Sequence, residues 1–255
     1  MNTKDIIKVI EDKYPVNLAY DWDNVGLMIG SYNLPVKKVL IALDLTKKVL
    51  EEAINNKINL IITHHPFIFT PIMNINFDTV KGHMIKDLIT NKITVYSMHT
   101  NFDCNLYGMN YVLATKLGLK NQEMLDDEEK IGVIGDLEEG INITDFIRMV
   151  KDKFNLPDVK YYGKEEKMIK KVGISGGSGS KHIGVAKRKN CDVYLTGDIT
   201  YHTALDIHSL GLNVIDINHY AENVFTSYMK DFLNSNFSDL EVMTSEVDVC
   251  PYKLF

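Results

Sequence analysis

Residues 37–65, KKVLIALDLTKKVLEEAINNKINLIITHH, constrain the fold more than any other stretch of the chain. KKVLIALDL is a near-continuous apolar run that ends around Asp44, the pattern of a strand covered on both faces. TKKVLEEAINNK follows, with Thr46 placed to cap a helix and Val49, Leu50, Ala53 and Ile54 at helical spacing. INLIITHH is then a second strand. Strand, helix and strand within about 30 residues make a βαβ unit, and its crossover requires the two strands to run parallel.

The pattern continues. GHMIKDLITNK reads as a helix, ITVYSMHTNFD as a third strand running into a loop, and MNYVLATKLGL as another helix. The acidic stretch 121–130, NQEMLDDEEK, lacks periodicity and marks a lobe boundary. A second series follows it: IGVIGD, KKVGIS, CDVYLTGD and LNVIDIN as strands, TDFIRMVKDKFN and YHTALDIHSLG as helices, and a glycine turn at GGSGS. A long helix, HYAENVFTSYMKDFLNSN, and a last strand, LEVMTSEVDV, close the chain. The expected architecture is α/β with two lobes, each a largely parallel sheet flanked by helices. Residues 1–123 with 213–255 form the first lobe, and 124–212 the second.

Charge and cysteine usage narrow the function classes. The net charge of -6 argues against nucleic acid and anionic membrane as partners. Cys104, Cys191 and Cys250 are scattered, with no CxxC pair, which points to a reducing cytoplasm. MNTKDIIKVIEDKY reads as an amphipathic helix rather than a signal peptide, and no apolar run approaches the roughly 20 residues that span a bilayer.

In parallel α/β sheets ligands gather beyond the carboxyl ends of the strands, where the doublet His64–His65 lies. Adjacent residues on an extended chain point to opposite sides, so the two rings suit two neighbouring cations better than one. The alternative is a pair of loop histidines bonded to backbone. HTNFD adds His99 and Asp103; a carboxylate there bridges two cations or serves an Asx turn. INHYAEN sets His219 and Glu222 three apart at a helix start with Asn218 as cap, so both share a face. A glutamate in that first turn is also favoured by the helix dipole alone.

Together His64, His65, Asp103, His219 and Glu222 offer three imidazoles and two carboxylates, a set suited to two divalent ions among Zn, Fe, Mn and Co. Two such cations against two carboxylates leave about two units of positive charge, which favours an anionic substrate. His202, after the strand end LTGD, joins His99 as a candidate proton carrier. His83, His182 and His208 read as helix-surface residues, and Trp22 as packed on the first strand beside the turn DNVG. HxHxDH, HExxH and the pair GDxHG with GNHE are absent. Gly179 is followed by Ser180 where a phosphate-binding loop needs lysine, so Gly176–Ser180 either hold an anion through their amides or make a tight turn.

DWDNVGLMIG, LIALDLT, IITHHPFIF, HTNFD, GGSGS, DVYLTGD and INHYAEN occur in an order that resembles the Ngg-interacting-factor-three-like family, also known as GTP cyclohydrolase I type 2 homologues. The resemblance runs from about residue 15 to about 225. It implies a dinuclear metal centre in a cleft between two lobes, ligated at His64, His65, Asp103, His219 and Glu222. It also implies a ring-shaped homohexamer whose metal sites face an internal cavity. Some relatives have one more residue between the last histidine and glutamate, and longer ones carry an inserted domain for which 255 residues leave no room. The expected function is metal-dependent hydrolysis of an anionic nucleotide or phosphoester by a hydroxide held between two metals, with His99 or His202 moving the proton. The alternative is a non-catalytic metal-binding ring, a scaffold or metallochaperone.

Overall fold

A computed structural model describes residues 1–163 and 167–252. The chain begins with α1 (Thr3–Lys13), whose start is closed by a reciprocal capping box between Asn2 and Asp5 and whose Ile6, Ile7 and Ile10 are buried. A 3₁₀ turn and β1 (Gly26–Ile29) lead to β2 (Lys38–Ala42), α2 (Lys47–Asn55), β3 (Leu60–Thr63), α3 (Val80–Thr90), β4 (Thr94–Ser97) and the short α4 (Thr100–Asp103). Thr46 and Thr79 cap α2 and α3 by accepting from the amides of Val49 and Gly82. β2, β3 and β4 are parallel and in step, from Val39–Leu60–Thr94 to Ala42–Thr63–Ser97, while β1 closes one edge antiparallel to β4. Val49, Leu50 and Ala53 of α2 and Ile85 and Leu88 of α3 join Leu40, Ile61 and Val95 in one core. Each such large aliphatic contributes about 1.5–3 kcal/mol on burial.

The next segment contains α5 (Met109–Leu117), β5 (Lys120–Asp126), β6 (Ile131–Asn142), α6 (Ile143–Phe154), β7 (Lys160–Tyr162) and β8 (Met168–Ile174). It continues through a 3₁₀ turn (Ser180–His182) into α7 (Ile183–Arg188), then β9 (Val193–Thr196), α8 (Tyr201–Leu210), β10 (Asn213–Asp216) and a second 3₁₀ turn (His219–Asn223). The sheet order is β5-β6-β8-β9-β10-β7, and only β8–β9 and β9–β10 are parallel. The chain then forms α9 (Val224–Asn236) and β11 (Glu241–Thr244), which adds parallel to β2.

Two compact units result, Met1–Phe102 with Phe225–Phe255, and Asp103–Val224. Three expectations need correction. The first sheet is largely parallel, but the second is mixed. The acidic stretch 121–130 is no linker: β5 runs to Asp126 and turns directly into β6, a hairpin that needs no crossover helix. Its alternation is masked because residues 120, 121 and 123 are exposed and carry polar side chains. The unit boundaries fall at 102/103 and 224/225 rather than 123/124 and 212/213. β10 is locked into the second sheet by its ladder to β9, from Asn213–Val193 to Asp216–Thr196, and α5 packs on β6 and β8. Among the described residues no helix is long and apolar enough to cross a membrane.

Candidate metal centre

In the first unit the carboxyl ends of β2, β3 and β4 are side by side, and each is followed by a polar side chain: Asp44, the His64–His65 doublet, and His99. The ladder continues past the end of β3, with the amides of His64 and His65 bonding the carbonyls of Ala42 at 3.4 Å and Leu43 at 3.1 Å. The Thr63 hydroxyl donates to the His65 carbonyl at 2.8 Å and lies 2.9 Å from the Ser97 hydroxyl. The doublet therefore inherits the alternation of a strand: His64 is buried, its ring 5.4 Å from that of Phe225, while the His65 side chain is 21% exposed.

Each of these histidines has its Nδ1 occupied. His64 Nδ1 is 2.8 Å from the Met98 carbonyl, His65 Nδ1 is 2.9 Å from Asp44 Oδ1, and His99 Nδ1 is 2.9 Å from Asp23 Oδ1. A carbonyl or ionised carboxylate only accepts, so Nδ1 donates and Nε2 keeps its lone pair. One ring nitrogen of each of His64, His65 and His99 lies within 4.8 Å of the others. Asp23 has a fully buried side chain and also accepts from the Thr100 amide at 3.0 Å and the Thr100 hydroxyl at 2.6 Å. Burial pushes its carboxyl up, but the His99 and Thr100 donors outweigh that and hold it down at about 2.

In the second unit Asp103 ends α4, and its carbonyl accepts from the Asn110 side chain at 3.2 Å. One carboxylate oxygen of Asp103 lies within 4.8 Å of one of Glu222, whose side chain is only 4% exposed. Two carboxylates so close repel unless a proton or cation stands between them, so the pair fits a divalent ion. His219 Nε2 is 3.2 Å from Glu222 Oε2, and His219 Nδ1 is 2.7 Å from Asp198 Oδ2. The helix start expected here is a 3₁₀ turn, whose three residues per turn place 219 directly over 222. Asn218 caps it by accepting from the Tyr220 amide at 2.9 Å.

Glycines allow the backbone to pack closely against Glu222. A Cβ on Gly176 would meet Glu222 Oε1 at 2.9 Å, and one on Gly177 (φ +57°) at 2.8 Å. Of the two readings of Gly176–Ser180, the observed bonds favour the tight turn. The Gly176 amide donates to Asn110 Oδ1 and the Gly179 amide to Thr196 Oγ1, each at 2.8 Å. Asp198 (φ 56°), which holds His219, and Asn218 (φ 68°), which precedes it, adopt left-handed backbone, a cost of order 1 kcal/mol each that the surrounding bonds offset.

The sequence-derived candidates thus fall into two groups, His64, His65 and His99 in one unit, and Asp103, His219 and Glu222 in the other. His202 is exposed on the first turn of α8, its ring 5.5 Å from that of Tyr201, and is in none of the ligand groupings among the described residues. His83 and His208 are on the surface as expected, but His182 is not. It is 2% exposed because the 3₁₀ turn directs it inward to Asp126, 3.0 Å away. Trp22 also differs from expectation. It is 60% exposed, because Asp23 draws its loop toward His99 while Met28 and Ile29 of β1 pack on the core without it. The residues missed in the sequence are Asp23 and Asp198, which hold His99 and His219; the available signal was an acid in a turn motif, DWDN and TGD, near a strand end.

The family model described as Duf34/NIF3 (NGG1p interacting factor 3) matches residues 1–251. A relative from Clostridium perfringens named GTP cyclohydrolase 1 type 2 homolog is 39% identical over 225 residues, 86% of this chain and 86% of its own. One of the same name from Clostridium acetobutylicum is 33% identical and covers 99% of this chain and 98% of its own. Among solved structures, a Staphylococcus aureus hypothetical protein superposes with a TM-score of 0.94 at 32% identity, covering 100% of this chain and 99% of its own. Reduced HcgD from Methanocaldococcus jannaschii superposes with a TM-score of 0.85 at 34% identity, covering 97% and 98%.

Proposed function

The chain belongs to the DUF34/NIF3 (NGG1p interacting factor 3) family, and from that premise we propose that it is a dinuclear metal-dependent hydrolase of an anionic nucleotide or phosphoester. One repeated device carries this reading. His64, His65 and His219 each have Nδ1 engaged by an oxygen, from Met98, Asp44 and Asp198 respectively. Engaging Nδ1 fixes the ring and its tautomer and puts the lone pair on Nε2, as in metal-ligating histidines; at His219 that nitrogen faces Glu222 Oε2 at 3.2 Å, which a shared cation would reconcile. With Asp103 and Glu222 they make a nitrogen and oxygen set suited to two ions of Zn, Fe, Mn or Co.

We assign both groups to one metal pair. Support comes from chain order: Asp103 is the first residue of the second unit, and Glu222 lies just before that unit ends at Val224. The ligands therefore flank the two points where the chain passes between units. When bound, such cations supply Lewis acidity and lower the pKa of water, so that hydrolysis runs near neutral pH. His99 moves the proton in this scheme: Asp23 holds its Nδ1–H, which orients Nε2 to accept a proton and return it to the leaving group. His202, exposed on α8, is the other histidine assigned to proton transfer. The assembly we assign is the ring-shaped homohexamer, whose mass light scattering measures and whose ring shape electron microscopy would show.

The test combines elemental analysis with turnover. Wild-type protein should carry about two metal ions per chain and hydrolyse GTP or a simple phosphodiester. His64→Ala and Asp103→Ala should lose both metal and turnover. Turnover that persists in the metal-free protein sinks the hydrolase reading, and bound metal without turnover favours a scaffold or metallochaperone.

A further inference from the structure

Within the first unit, an exposed aromatic group stands beside the histidine cluster. The ring of Trp22 stacks on Tyr20 at 5.5 Å with an interplanar angle of 30°, and meets Phe69 edge-on at 6.1 Å. Both Trp22 and Phe69 touch His99 edge-to-face, at 6.1 and 6.3 Å. Trp22 is 60% and Phe69 52% exposed. We propose that Trp22, Phe69 and Tyr20 form a stacking platform for a planar heteroaromatic ring, so that the substrate is a nucleobase-bearing anion rather than a plain phosphoester. This inference rests on the metal-hydrolase reading for the reaction, but not for the binding of the ring.

Three observations support it. The first is rigidity. Asp23, the next residue after Trp22, has a fully buried side chain that takes donors from His99 and Thr100, and the Tyr20 amide donates to the Thr100 hydroxyl at 3.0 Å. The Asn24 side chain donates to the Ile68 carbonyl, so the loop carrying Trp22 is tied to the residue before Phe69. The rings are therefore held out in water rather than left loose. The second is chemistry. Scattered exposed apolar residues need no explanation, but a fixed cluster of large aromatics is the surface on which bases stack, because every base offers a π-face. The third is position: both rings contact His99, the residue assigned to proton transfer, so a ring seated on them is adjacent to the reacting groups.

Trp22 is the only tryptophan in the chain, so its emission reports on this platform alone. The metal-loaded full-length protein is titrated with guanosine 5′-monophosphate and, separately, with ribose 5-phosphate, which carries the same anion without a ring. Saturable quenching by the nucleotide and none by the sugar phosphate is expected. Phe69→Ala, which keeps the reporter, should weaken the nucleotide roughly 10–100-fold at unchanged metal content. Equal responses to both ligands, or no loss in Phe69→Ala, overturn the platform. Emission that depends on protein concentration but not on nucleotide also overturns it, since a second copy then covers Trp22. The two readings fail separately. Quenching without any turnover keeps the platform and removes the hydrolase, whereas phosphodiester turnover without quenching does the reverse.

Discussion

The two units aim a histidine in opposite ways. In the first, His64 extends a parallel strand, is buried, and is oriented by a main-chain carbonyl, so its placement follows from the sheet itself. In the second, His219 lies in a 3₁₀ turn with its side chain 40% exposed. It is held by Asp198, a side chain 49% exposed, at a site where two non-glycine residues adopt left-handed backbone. The first unit's group of candidate residues is thus inseparable from its fold. The other depends on single side chains and on glycines that permit close approach, and it can be altered while the sheet stands.

The largest expected effect tests that asymmetry. His64→Ala should abolish metal retention and also destabilise the protein by about 2–4 kcal/mol, because it empties a buried position and strands the Met98 carbonyl. His219→Ala should abolish metal retention with a stability change below about 1 kcal/mol, since its side chain is 40% exposed and fills no core position. Elemental analysis and denaturant melts of the metal-free proteins read the two quantities. Equal destabilisation by both substitutions breaks the comparison.

A smaller effect sharpens it. Asp198→Asn keeps a residue that tolerates left-handed backbone but no longer offers His219 an anionic acceptor. Metal affinity should fall about 10–100-fold, with the melting temperature of the metal-free protein unchanged. Asp44→Asn should do the same through His65. No side-chain substitution can remove the carbonyl that orients His64, so that donor should prove the most tolerant of changes around it. Competition titration against a chelator of known affinity separates these cases, and an Asp198→Asn protein with wild-type affinity shows that the Asp198 contact has no orienting role.

The same asymmetry explains what could be read from the sequence. Parallel strands buried on both faces write a distinctive signal, an apolar run that stops at polar residues, so KVLIALD, LIITHH and TVYSMH disclosed both the sheet and the residues at its edge. In the second unit the hairpin of β5 and β6 has an outer strand with exposed polar positions, and NQEMLDDEEK resembles a linker because edge strands carry charge. β10 joins the second sheet against expectation because a strand's sequence records that it pairs, not with which neighbour. The pairing of His219 with Glu222 was legible from spacing alone. Their partner Asp198 was not, because its contact spans 21 residues and is made by a turn. Trp22 and His182 depart from expectation in opposite directions for a shared reason: a neighbouring hydrogen bond, not side-chain hydrophobicity, decides which way each faces.

The smallest effect concerns acid. In the second unit burial pushes His182 below its ordinary value of 6.5, despite opposing attraction from Asp126 and Glu129, and Lys181 adds to the depression. The unfolded chain therefore binds a proton at this residue near pH 6.5 while the folded chain does not, so its contribution to stability is present above that pH and fades as pH falls. In the first unit Asp23 is held at about 2, so its contribution, about 2 kcal/mol, persists to about pH 4 and is lost between there and about pH 2. Acidification from pH 7 to about pH 5 should thus weaken the second unit first. Hydrogen exchange followed by mass spectrometry should show faster opening of peptides from α7 and β9, with those from β3 and β4 unchanged. His182→Gln, which cannot titrate, should remove the difference. If β3 and α7 loosen together in the metal-free protein, the two units open as one cooperative body, and the contrast between them does not extend to their response to acid.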